Sequence, residues 1–82
     1  MTIELFLYSQ QDCQLCDEFK KTIEPFLTEK NVILHDIDIG NDLELKQRYA
    51  ARIPVLVCGN TEICEVRVDQ QALQSFLSSH SD

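Results

Sequence analysis

The segment Ser9-Gln10-Gln11-Asp12-Cys13-Gln14-Leu15-Cys16-Asp17 closes a short apolar run and opens an amphipathic helical pattern, so two cysteines spaced C-x-x-C fall at a strand-to-helix junction. The first turn of a helix carries unpaired backbone N–H groups and the positive end of the macrodipole, which favours a thiolate over a thiol at Cys13. Cys13 is therefore the candidate nucleophile. Cys16 follows almost one helical turn later, close enough to attack a mixed disulfide formed at Cys13, and is the candidate resolving thiol.

Around this junction the pattern alternates between strand and helix. Ile3-Glu4-Leu5-Phe6-Leu7-Tyr8 is a nearly continuous run of strand formers, expected to be central and covered on both faces. Leu15, Phe19, Ile23 and Phe26-Leu27 then recur at helical spacing, with Asp17, Glu18, Lys20, Lys21 and Glu24 on the remaining face. Pro25 is expected to kink or split this helix. A second strand over 32–39 completes a right-handed parallel βαβ unit. Gly40-Asn41-Asp42 turns and caps a short helix through about Ala51, with Leu45 and Tyr49 on one face. Strands over 54–58 and 62–68, broken by Gly59-Asn60, form a hairpin, and Asp69 caps a last helix carrying Ala72, Leu73, Phe76 and Leu77. The polar tail from Ser78 through His80 to Asp82 is expected to fray.

Eighty-two residues make one small domain spanning 1–82. The first residues lack a basic stretch followed by a long apolar one, and no later run approaches membrane-spanning length, so a cytoplasmic monomer without membrane contact is expected. Fourteen acidic against seven basic side chains give a net charge of −7, with no basic cluster to track a phosphate backbone, which argues against nucleic acid. The same charge repels glutathione, itself an anion, unless local cations offset it. Four cysteines without a secretion signal point to catalysis, metal or burial rather than a permanent disulfide framework. Their spacing suits a paired zinc ribbon poorly, and no metal site is assigned.

The C-x-x-C after the first strand, Arg52-Ile53-Pro54 leading into the third, and the complete order βαβαββα resemble the glutaredoxin-like branch of the thioredoxin fold, in particular its small bacterial-type members. The resemblance covers essentially the whole chain. It implies an α/β fold with a mixed four-stranded sheet and helices on both faces. It also implies that Pro54 is cis and faces the two sulfurs, and that the backbone of Ile53 pairs with an extended substrate. The chain departs from the family in carrying Gln14-Leu15 between the cysteines, where glutaredoxins typically have Pro-Tyr. It has Gln10-Gln11-Asp12 where glutathione-using relatives commonly have a basic residue, and it lacks their Gly-Gly-x-Asp segment. Arg52 and Arg67 are the remaining candidates to offset the charge of glutathione.

The function these features imply is thiol–disulfide exchange on a protein or small-molecule disulfide, with no bound cofactor and with electrons returned by glutathione or a reductase. The alternative is a non-catalytic interaction or metal-delivery module using the same cysteine pair. Asp12 is expected to cap the first helix and, by competing for its N–H groups, to raise the Cys13 thiol. A two-residue Gly59-Asn60 loop places Cys58 and Cys64 on opposite faces, whereas a three- or five-residue loop places them on one face; both are expected as buried small apolar residues. His35, His80, Asp36 and Asp38 receive no catalytic role, and Tyr8 is expected as partly buried support.

Overall fold

The computed structural model describes residues 2–28 and 31–79. Strand β1 (Ile3–Ser9) runs into helix α1 (Gln14–Leu27), followed by β2 (Val32–Asp38), a 3-10 turn (Ile39–Asn41), α2 (Leu43–Tyr49), β3 (Val55–Cys58), β4 (Thr61–Glu65) and α3 (Gln70–Ser79). The sheet order is β2-β1-β3-β4. Strand β2 lies parallel to β1, with Ser9 opposite Asp38, while β3 is antiparallel to β1, with Tyr8 opposite Val55. This is the mixed four-stranded sheet expected from the element order.

Alternation along β1 divides its side chains between two layers. Ile3, Leu5 and Leu7 join Leu56 against Phe19 and Ile23 of α1 and Leu73 and Leu77 of α3. Each fully buried aliphatic side chain there contributes about 1.5–3 kcal/mol of transfer free energy. The opposite face carries Val55 and Val57 against Tyr49 and Ile39, with Tyr8, Leu45 and Ile53 at the margin. Because α2 has only seven residues, it covers only part of this face: Phe6 is half-buried, Glu4 exposed, and His35 stacks on Phe6 with ring centroids 4.8 Å apart. The expectation that β1 is fully covered on both faces therefore holds on one face only.

Helix α1 passes through Pro25 to Leu27, so it is neither split nor ended there. Proline at that place leaves only the Lys21 carbonyl without its usual donor, since the helix has two residues left. Asp42 caps α2 by accepting from the Leu45 N–H at 3.1 Å, and Asp69 accepts from the Ala72 N–H at 3.0 Å. Helix α3 continues through Ser79, so Ser78 and Ser79 are helical rather than frayed; the expectation for His80 to Asp82 lies outside the described residues.

The hairpin corrects two further expectations. Cys58 pairs with Thr61 across Gly59-Asn60, with Gly59 at φ 60°, where a side chain is disfavoured. A bulge then inserts Ile63, so Cys64 sits opposite Leu56 and shares a face with Cys58, although the two-residue loop alone places them on opposite faces. Both cysteines pack against the layer of α1 and α3, and both are free and half-buried. Strand β4 stops at Glu65 instead of reaching Val68, because Val66 adopts φ 65° and the Arg67 N–H folds back onto the Glu65 carbonyl at 2.6 Å. Those contacts close a three-residue turn.

Candidate functional site

One edge of the sheet gathers the chemistry. Strand β1 ends there at Ser9 and leads into the motif, parallel β2 ends there at Asp38, and antiparallel β3 begins there at Val55. Pro54, fully buried, precedes β3, and its bond to half-buried Ile53 is cis. Segments distant in sequence therefore meet at the sheet edge from which the cysteine motif departs, the C-terminal edge of a βαβ unit.

Cys13 and Cys16 are joined as a disulfide with Cα atoms 5.2 Å apart. The capping residue of α1 is Cys13 itself, at φ −105° and ψ 103°, with its sulfur accepting from the Cys16 N–H at 3.1 Å. Asp12 does not cap the helix. It turns the chain in the left-handed region at φ 59°, which aspartate tolerates, and the capping bond from the Cys16 N–H goes to the Cys13 sulfur. The two sulfurs differ in access: Cys13 is half-buried, whereas Cys16 is 4% exposed.

Arg52 is turned toward the hairpin. Its guanidinium donates to Glu62 at 2.7 and 3.3 Å, lies 3.5 Å from Glu65, donates to the Arg48 carbonyl at 3.2 Å, and stacks over Tyr49 at 5.4 Å. The hydrogen bond from Arg52 holds the Glu62 carboxyl below the usual range, and Glu62 in turn raises the Arg52 guanidinium. This cation is already engaged within the chain. Tyr8, stacked on Tyr49 at 4.3 Å, has its phenol pushed up by burial and by that neighbour.

Two openings flank the motif. One, of about 280 Å³, is lined by Ser9, Gln10, Cys16, Lys20, Asp36 and Asp38 among others. Within it the Ser9 hydroxyl donates to Asp36 at 2.9 Å, and Lys20 pairs with the other oxygen of the same carboxylate. The other, of about 300 Å³, runs between α1 and the chain after β4 and is lined by Leu15, Glu18, Phe19, Thr22, Val66, Arg67 and Val68. Arg67 thus faces the motif side of the molecule, whereas Arg52 does not share this groove. Leu15, expected in the core stripe, is 47% exposed here, because it stands one turn before the part of α1 that meets the sheet.

Asp36, read from sequence as a polar residue at the C-terminal end of a parallel strand and so near this edge, lines the first opening, while Leu15 leaves the core stripe for the second. Valine closing the strand pattern of Ile63-Cys64-Glu65 gives no sign of a positive φ. Cys64 is half-buried, with its thiol pushed up by burial. Among the described residues no three His, Cys, Asp or Glu side chains cluster as a metal site, and no helix is long and apolar enough to cross a membrane.

A thioredoxin-like sheet with a disulfide-bonded cysteine pair opening the first helix and a cis-proline at the same edge defines a thioredoxin-like α/β domain. The chain belongs to the family of glutaredoxin-like domains (DUF836), which matches residues 4–78. A protein of Nitrosomonas europaea solved by solution NMR is 24% identical over 93% of this chain and 92% of its own, with a TM-score of 0.81. An X. campestris protein solved by X-ray diffraction is 25% identical over 94% of this chain and 99% of its own, at 0.72. A mutant thioredoxin from Halobacterium salinarum aligns over 98% of this chain and 75% of its own at 21% identity and 0.64, a likeness of fold. No curated protein sequence matches the chain.

Proposed function

We propose that this protein is a thiol–disulfide oxidoreductase working through Cys13 and Cys16. The observation that carries the reading is the placement of the half-buried Cys13 sulfur as the helix cap, bonded to a Cys16 that is itself nearly sealed from water. In the reduced protein the Cys13 thiolate attacks a substrate disulfide, forming one S–S bond and releasing one substrate sulfur, which takes a proton. Cys16 then loses its proton and attacks the Cys13 sulfur, releasing the second substrate thiol and closing the intramolecular disulfide. Two electrons and two protons pass from protein to substrate, and an external thiol or reductase returns them. N–H groups and the dipole at the start of α1 stabilise the attacking thiolate, and access makes Cys13 rather than Cys16 the first to react.

Ile53 and cis Pro54 are assigned to align an extended substrate segment beside the sulfurs by strand-like pairing. No bound cofactor is required, since the electrons reside on sulfur. The protein is assigned to the cytoplasm as a monomer, with a protein or small-molecule disulfide as substrate. The test is trapping: Cys16→Ala should accumulate a mixed disulfide at Cys13 that a reducing agent releases, and Cys13→Ala should form none. Equal trapping through either cysteine, or no adduct with hydroxyethyl disulfide, refutes the assignment.

A further inference from the structure

Resting on the exchange chemistry above, the geometry points to a polypeptide partner: a cysteine flanked by a branched aliphatic and a basic residue, with the aliphatic side chain seated in the groove of Leu15, Phe19, Val66 and Val68. Glutathione is disfavoured at the same place. Both walls of this groove are attached to the reacting centre. Leu15 lies between the two cysteines, and the Val66 N–H donates to the Pro54 carbonyl at 2.7 Å, so a segment whose sulfur reaches Cys13 passes alongside both.

The groove is also where the surface is unexpectedly apolar. Leu15 and Val66, at 47% and 37% exposed, are two of the four large hydrophobic residues left strongly accessible among the described residues, and both line it. Val66 is held there at a cost. A β-branched residue at φ 65° is a backbone outlier, and the turn that imposes it directs the chain out of strand β4 beside this groove.

Charge completes the description. Glu18 lines the groove and Asp12 and Asp17 lie exposed in and beside the motif, on a chain of net charge −7. Glutathione brings two carboxylates and no aliphatic side chain. It would leave the apolar lining wet and set its anions beside Glu18, with Arg67 the one cation among the described lining residues and Arg52 engaged by Glu62 and Glu65. A basic peptide meets the opposite field, which speeds encounter at low salt. Covering a half-exposed aliphatic pair is expected to give about a tenfold preference, near 1.4 kcal/mol.

The experiment measures the second-order rate at which the reduced full-length chain is oxidised by four disulfides. These are hydroxyethyl disulfide, glutathione disulfide, and the symmetric dimers of acetyl-Ala-Cys-Leu-Lys-amide and acetyl-Ala-Cys-Ser-Glu-amide. Each rate is divided by that of dithiothreitol with the same disulfide, which removes intrinsic leaving-group differences. The Leu-Lys peptide should exceed the Ser-Glu peptide and glutathione disulfide by tenfold or more. Leu15→Ser and, separately, Val66→Ser should shrink that ratio severalfold, and Glu18→Gln should weaken its dependence on salt. Equal normalised rates, a faster glutathione disulfide, or a ratio untouched by both groove variants overturns the inference. If hydroxyethyl disulfide reacts but no preference appears, the groove assignment alone fails; if none of the four reacts, the exchange chemistry fails with it.

Discussion

Replacing Val66 by glycine is expected to leave stability nearly unchanged, although glycine for valine ordinarily destabilises. Three opposing contributions set the outcome. Valine at φ 65° carries local backbone strain of about 1–3 kcal/mol, which glycine relieves because it has no Cβ. Roughly two-thirds of the side chain is covered at 37% exposure, so its removal forfeits about 1–2 kcal/mol of the 1.5–3 kcal/mol assigned to a fully buried side chain. Glycine adds about 0.5–1 kcal/mol of unfolded-chain entropy to be lost. The sum lies within about 1–2 kcal/mol of zero, where the same exchange in an unstrained strand keeps both losses and no relief. Urea unfolding followed by far-ultraviolet circular dichroism measures it through the midpoint and slope, and a melting shift of about 4–8 °C per kcal/mol gives an independent reading. A loss above about 3 kcal/mol refutes the strain argument. Val66→Ala sharpens the comparison, since alanine keeps a Cβ and should be less stable than glycine at this one position.

Leu5→Ala, at a fully buried site between α1, α3 and the sheet, should lose about 2.7–5 kcal/mol by calorimetry or urea titration, whereas a loss below about 1 kcal/mol would contradict the packing described. In the reduced protein Cys13 should be alkylated by iodoacetamide near neutral pH well before Cys64, whose thiol is raised by burial; mass spectrometry of the modified sites decides, and early labelling at Cys64 counts against its placement. A raised Cys64 also contributes stability that is full below the ordinary thiol range and is lost as pH rises through its folded value, so Cys64→Ala should show a smaller alkaline decline than wild type. Glu62 behaves oppositely. Its lowered carboxyl contributes above the usual carboxylate range and loses that contribution as pH falls through its folded value, an effect kept small by exposure and absent in Glu62→Gln.

The element order was legible because each segment announced its period. The unbroken apolar run of β1, the four-residue repeat through Phe19 and Ile23, and the glycine at the hairpin all agree with the structure they produce. The cysteine pair was equally plain, since spacing and junction coincide. What could not be read were features decided by one residue's backbone. Cys13 rather than Asp12 caps α1 because the chain turns one residue later than side-chain preference suggests, and Ile63 bulges although nothing in Thr-Glu-Ile-Cys-Glu marks it. The destination of Arg52 was invisible for a different reason. It depends on Glu62 and Glu65 lying across the hairpin, a contact set by register rather than by proximity in sequence.

The sheet has two rims, and they have different freedoms. The motif, the cis-proline and the end of β2 share one, while the Gly59-Asn60 turn stands at the other, a strand's length away. Substitutions, insertions or a fused reporter at that far turn lie outside the reacting centre, so the scaffold offers a natural attachment point for labels or surface tethering. New chain ends could equally be opened there, with the sulfur chemistry left in place.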